Sequence, residues 1–203
     1  MSKQTIVGVL TIAALAVSGS VLLTRPRGSS PDTADRIPAA APNSPPAAIL
    51  RPAPDFLVVL YQGQEVIGGS TIRLSQLWGQ GRPVVMNFWA GLCPPCRAEM
   101  PDFQKLYNER AQGQFFLVGV DIGSFIGLGS QEEGKALLRE LNITFPAGTT
   151  LDRHTVGAYQ ILGMPTTVFI TAQGRIFRKY TGLLTRAQMD TFVAELVRTS
   201  GTP

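Results

Sequence analysis

Cys93 and Cys96 are the chain's only two cysteines. They stand as Cys93-Pro94-Pro95-Cys96 between an apolar run, Val84, Val85, Met86 and Phe88, and a stretch in which Met100, Phe103, Leu106 and Tyr107 recur at three- and four-residue spacing. Thiols so close together can close a disulfide and exchange it with others. The apolar run reads as a strand buried on both faces. The periodic stretch reads as a helix with Pro95 at its first position, where a missing N–H is no loss. Cys93 then sits at the helix mouth, where unpaired N–H groups and the helix dipole favour thiolate over thiol. That makes Cys93 the attacking thiol. Cys96, one turn into the helix and further from solvent, is the thiol that resolves the mixed disulfide.

Two other uses of the pair are open. A structural zinc site needs two further ligands, and the chain offers one histidine, His154, and no other cysteine. No metal is therefore expected. An inert structural cystine closing so short a loop would add little stability, because the entropy removed from the unfolded chain grows with loop length. Glu99, three residues after Cys96, reads first as an ordinary acidic residue of an early helical turn.

Phe88-Trp89-Ala90 ahead of the cysteine motif, and Gly163-Met164-Pro165-Thr166-Thr167 further on, resemble the thioredoxin superfamily, nearest to its membrane-tethered TlpA/ResA-like branch. The resemblance covers roughly Pro54 to Val197 and implies a thioredoxin-like α/β fold, a central mixed β-sheet flanked by helices. It implies a cis peptide bond at Pro165, a linkage only proline adopts at small cost. Pro165 would lie beside the two sulfurs, leaving the backbone of Met164 free to pair with an extended substrate segment. It places Glu99 near the cysteine pair, tuning its protonation, and puts Leu92 and Pro94 on the surface that meets partners. Asn87 stands where ordinary thioredoxins carry a buried aspartate, so that site lacks a proton-shuttling carboxylate. Leu92 replaces the tryptophan usual before the first cysteine, and Pro101, inside the helix, is expected to kink it.

The implied activity is thiol-disulfide exchange without a cofactor. Its implied direction is reductive, from a membrane thiol donor to oxidised cysteines in substrate proteins, such as those of apocytochrome c before haem attachment. Three alternatives share the fold. A disulfide-donating oxidase would use the same motif in reverse. A peroxidase would want a threonine three residues before the reactive cysteine, where Ala90 stands. A copper chaperone spaces its cysteines more widely and adds a histidine.

The elements that hold this motif follow a tethered plan. From Thr5 to Thr24 no residue is charged, and residues 6 to 23 are mostly apolar, with Lys3 before and Arg25 and Arg27 after. A run near 20 residues spans a bilayer, so residues 1–25 are expected to be a transmembrane anchor, with a signal peptide cleaved after Ala16 and Ser18 as the rival. Either places the domain on the extracytoplasmic side of the cell membrane. Residues 26–54 hold eight of the fifteen prolines and many alanines, and read as a linker of up to roughly 90 Å if fully extended. The tether confines the domain near membrane-bound partners and raises their effective concentration. Residues 55–203 are the expected domain.

The net charge of +4 belongs to the tail. From Asp55 onward thirteen basic residues face twelve acidic ones, and no basic stripe interleaved with aromatics appears, which excludes a nucleic-acid partner. Strands are predicted at Phe56 to Leu60, Thr71 to Leu74 and Phe115 to Val120, with Gly68 and Gly69 turning between the first two. A hairpin is predicted from Thr166 to Ile170 and Arg175 to Tyr180. Helices are predicted near Glu132 to Leu141 and over Thr185 to Val197, where Met189, Phe192, Val193 and Leu196 share a face. His154 reads as an exposed loop residue. The glycine-rich loop from Ser124 to Gly129 is a candidate for specificity.

Overall fold

The computed structural model describes residues 51–201. The expected anchor and nearly all of the expected linker lie outside them. Among the described residues no helix is long and apolar enough to cross a membrane.

Continuous apolar runs, buried on both faces, build the centre. The strands β1 (Arg51–Pro52), β2 (Leu57–Gln62), β3 (Thr71–Arg73), β4 (Val84–Trp89), β5 (Phe116–Asp121), β6 (Ala147–Thr149), β7 (Thr166–Ile170) and β8 (Arg175–Thr181) form one sheet in the order β1-β8-β7-β4-β5-β6-β2-β3. The β4–β5 and β5–β6 pairs are parallel and the other neighbours antiparallel. Every residue of β4, β5 and β7 is buried. Alternation then divides the core in two. Val85, Trp89, Leu117 and Phe169 point to one face, and Val84, Met86, Phe88, Val118, Val120 and Ile170 to the other.

The helices are α1 (Gln64–Ile67), α2 (Ser75–Trp78), α3 (Pro94–Leu106), α4 (Gly123–Ile126), α5 (Gln131–Glu140), α6 (His154–Ala158) and α7 (Arg186–Ser200). The first face is covered by α3, α5 and α7, which bury Met100, Phe103, Leu137, Met189 and Val193. The second is covered by α1 and α2 through Ile67 and Leu77, and by Tyr159 just beyond α6. Capping boxes start α5 at Ser130/Glu133 and α7 at Thr185/Gln188, each satisfying orphan N–H groups. The N-terminus of α7 is tied to the turn that follows α3 by Arg186, which pairs with Glu109 there and with Asp190 on its own helix. Arg178 on β8 pairs with Glu195 at 2.6 Å and lies over the Phe192 ring, fastening α7 to the sheet.

The fold is the expected mixed sheet with flanking helices, and several details correct the sequence expectation. Arg51 and Pro52, read as linker, pair with Ile176 and Arg175, and Ala53 is buried with its N–H on Gly174 O. Proline is admissible there because β1 is an edge strand. The turn at Gly68 and Gly69 is preceded by the short helix α1. Helix α3 runs on through Pro101 to Leu106, passes into a π-helical turn over Tyr107–Ala111, and the chain leaves at Gly113 with φ 79°. Part of the glycine-rich loop is α4. The strand β6 had no apolar run to announce it; at Gly148 even a Cβ would meet Val59 O at 2.2 Å.

Candidate active site

Strand β4 delivers the chain to the cysteine motif at its C-terminal end. Helix α3 begins one residue earlier than the sequence predicts, with Pro94 and Pro95 at its first two positions and Cys93 as the N-cap. Neither proline has an N–H that needs a partner there. The Cys96 N–H therefore becomes the first available donor, and it points at Cys93 Sγ at 3.3 Å. A donor in that position serves a thiolate better than a thiol. The two sulfurs are joined in a disulfide, S–S 2.07 Å, with Cys93 3% and Cys96 0% exposed. The outer–inner difference expected of the pair is present but small.

Leu92 stands proud of the surface at 55% exposure, and Pro94 is exposed beside it. A shallow cleft of about 240 Å³ is lined by Gly91, Leu92, Cys93, Pro94 and Arg97. The segment after β5 braces this loop through two backbone bonds, Ile122 N–H to Trp89 O and Leu92 N–H to Leu128 O. The loop from Ser124 to Gly129 thus adjoins the cysteine motif, with Gly129 packed against Leu92. From the other side comes β7. Its first residue, Thr166, is paired with Phe88, so Pro165 lies at the same end of the sheet as the cysteines. The Met164–Pro165 peptide bond is cis, Pro165 is buried, and its carbonyl accepts the Gly182 N–H at 2.8 Å. Met164 is half-buried.

Glu99 is no surface residue of an early turn: it is 1% exposed. One carboxylate oxygen accepts from Asn87 Nδ2 at 2.8 Å, the other from the Leu184 N–H at 3.0 Å. The same Asn87 nitrogen donates to Thr167 Oγ1 at 3.0 Å, across the Asn87–Thr167 register of β4 and β7. Burial pushes the Glu99 carboxyl up to about 7 from its ordinary 4.5, against the opposing pull of its two donors. The sequence marks position 87 as lacking a carboxylate. The structure brings one to it from α3, one helical turn beyond Cys96, where side chains three apart share a face.

A second buried carboxyl escaped the sequence reading. Asp121, at the C-terminal end of β5 and in register with Trp89, is 2% exposed. It accepts from the Gly123 N–H at 2.9 Å and from the Tyr61 hydroxyl at 3.3 Å. Burial pushes it up to about 6 from 3.8, and raises the Tyr61 hydroxyl as well. Gly134 of α5 sits directly on it; a Cβ there would lie 2.2 Å from Asp121 Oδ2. An acidic residue closing an apolar strand run, with a glycine inside the helix predicted after it, was the signal available. His154 is the first residue of α6, exposed, with its N–H on Asp152. Among the described residues no group of side chains could hold a metal ion.

A family model described as the AhpC/TSA family matches residues 49–179. Among curated proteins, the thiol-disulfide oxidoreductase ResA of Oceanobacillus iheyensis is 35% identical over 144 residues, covering 71% of this chain and 70% of that protein. ResA of Bacillus subtilis is 28% identical over 141 residues, covering 70% and 72%. Among solved structures, StoA from Bacillus subtilis superposes with TM-score 0.57 at 24% identity, over 70% of this chain and 98% of that one. The exposed lipoprotein thioredoxin Etrx1 of Streptococcus pneumoniae does so with TM-score 0.59 at 24% identity, over 70% and 100%. These likenesses carry the thioredoxin-like fold.

Proposed function

The chain belongs to the AhpC/TSA family of thioredoxin-like proteins, and on that premise we propose that it is an extracytoplasmic thiol-disulfide oxidoreductase that reduces disulfides in substrate proteins. The observation that carries this is the Cys93–Cys96 disulfide at the N-cap of α3, with a buried carboxyl, Glu99, one turn beyond Cys96. ResA, the name of the curated relatives described above, is itself a thiol-disulfide oxidoreductase.

The reaction uses the reduced pair. Cys93 thiolate attacks a substrate disulfide, forming a Cys93–substrate bond and releasing one substrate thiolate, which takes up a proton. Glu99 carboxylate then accepts the Cys96 proton, and Cys96 thiolate attacks Cys93 Sγ. The Cys93–Cys96 bond forms, the bond to the substrate breaks, and the second substrate sulfur leaves as thiolate. The two electrons end on the substrate. A carboxyl held near neutrality suits a group that must take and return a proton at cellular pH.

Leu92 and Pro94 form the rim on which a substrate rests. Met164 offers it a free backbone: its N–H and C=O are bonded to nothing among the described residues, which supports pairing with an extended substrate segment. Residues 1–25 serve as the membrane anchor and the proline-rich segment after them as the tether, with the folded unit starting by Arg51. In an oxidising compartment the pair stays reduced only if a partner keeps reducing it. A membrane thiol donor is that partner in this reading, and the substrates are proteins with oxidised cysteines, such as apocytochrome c before haem attachment. Ala90 has no hydroxyl to serve a peroxide, and the resolving thiol is close by, both of which favour exchange over peroxidase chemistry.

The test is trapping. Cys93→Ser abolishes disulfide reduction, and Cys96→Ser accumulates substrates covalently on Cys93, recovered from membranes under non-reducing conditions. Absence of any adduct on Cys96→Ser overturns the mechanism.

A further inference from the structure

Asn87 is fully buried, and the bonding of its side chain is lopsided. Its Nδ2 has two hydrogens and two acceptors, Glu99 Oε1 and Thr167 Oγ1. Its Oδ1, equally buried, has no partner among the described residues. A buried carbonyl without a donor is unfavourable, and a use for it is one explanation.

The use follows from the neighbours. Resting on the proposed function, Glu99 alternates between carboxylate and carboxylic acid in each cycle. As carboxylate it needs donors, and Asn87 Nδ2 and the Leu184 N–H supply them. As acid, one oxygen becomes a donor and needs an acceptor. The Leu184 N–H can stay on the oxygen that remains a carbonyl. The other oxygen faces Asn87, whose spare carbonyl is reached by turning the amide half a revolution about its last side-chain bond. An amide presents oxygen and nitrogen in nearly the same outline, so the turn needs no room. Thr167 permits it, because a hydroxyl accepts from Nδ2 in one orientation and donates to Oδ1 in the other.

We infer that Asn87 is a positioning residue for the proton on Glu99: its amide donates to the carboxylate, then turns to accept from the acid, with Thr167 as the pivot. The proton transfer itself is balanced within the site. The Cys96 S–H bond breaks, a Glu99 O–H bond forms, and no electrons leave either residue. The groups bonded to Glu99 are Asn87 from β4, with Thr167 behind it on β7, and the Leu184 N–H from the loop after β8; Cys96 lies one turn earlier on its own helix. None of the influences that set its proton affinity is another charge. The amide is therefore the side chain in contact with Glu99 able to follow the proton.

The oxidised protein isolates this event, since a cystine does not titrate. The experiment is side-chain amide NMR of the full chain in detergent micelles, labelled with ¹⁵N-asparagine and with ¹³C at the glutamate carboxyls, from pH 5 to 9. Contact with the Thr167 methyl identifies the Asn87 amide without a variant, and its loss in Asn87→Leu confirms it. The expected result is that both Nδ2 protons shift together with the Glu99 carboxyl, at one midpoint near about 7, and that neither shifts in Glu99→Gln. A shift confined to the proton facing Glu99, with the one on Thr167 unmoved, describes a static donor and overturns the proposal. So does a titrating Glu99 with no response from the amide. A Glu99 that fails to titrate removes both this inference and the proton-accepting role of Glu99. Cys96→Ser adduct trapping reads the exchange reaction independently of all three outcomes.

Discussion

Replacing Glu99 by glutamine should change how stability depends on pH, in a direction and over a window that the burial of Glu99 fixes. In the unfolded chain this carboxyl titrates near 4.5, in the folded chain near 7. Between those values the folded state retains a proton that the unfolded state has released. The state binding more protons loses ground as pH rises, so stability falls across that window and is level on either side. At about 1.4 kcal/mol per pH unit, the gap amounts to roughly 3 kcal/mol. The glutamine of Glu99→Gln resembles the protonated acid: it can accept the Leu184 N–H and donate to Asn87 Oδ1. Variant and wild type should therefore be equally stable, within about 1 kcal/mol, below pH 4.5, and the variant more stable by roughly 3 kcal/mol above pH 7.5. Urea denaturation of the oxidised protein from Pro45 onward, the compact unit that holds the fold, at a series of pH values measures it. Asp121, raised to about 6, adds its own slope to both proteins and cancels in the difference. Stability curves that run parallel from pH 4 to 9 would refute the account of Glu99 as a buried carboxyl held near neutrality.

Other expectations follow from particular contacts. Tyr61→Phe removes a donor to Asp121 and should destabilise the fold by about 1–2 kcal/mol at pH 8 but less below pH 6, where Asp121 holds a proton; the same denaturation series checks it. Gly91→Ala places a Cβ 2.6 Å from Gly134 N and 2.7 Å from Glu133 C, backbone atoms of α5. It should cost about 1–3 kcal/mol and alter the alkylation rate of Cys93 as the loop is pushed outward. Leu92→Ser removes exposed apolar surface at the cleft rim and should raise KM for a protein disulfide roughly tenfold with little change in kcat.

The strand–cysteine–helix unit was legible because local rules agree there: an apolar run, a proline suited to a helix start, and apolar periodicity after it. Glu99 was harder. Its spacing from Cys96 fits a surface turn equally well, and what buries it lies 12 residues away at Asn87 and 85 away at Leu184. Tertiary pairing decided its environment, and no local pattern encodes that. Position 87 by itself shows only a missing carboxylate; the carboxylate that serves it comes from the neighbouring helix. The strand β6, Ala147–Thr149, is made of small residues fitted under Val59 O, so it has no apolar signature. Arg51 and Pro52 carried the composition of a linker and became an edge strand because Arg175 and Ile176 were there to pair with them.

The reduction potential of the Cys93/Cys96 pair tests the central claim most directly. It is measured on the unit from Pro45 onward, which retains β1, by equilibration with glutathione or dithiothreitol buffers and trapping of free thiols. A value near the strongly reducing end, about −270 mV, is the result predicted for a reductant fed by a membrane thiol donor. A value near about −120 mV would contradict it and make the protein a donor of disulfides.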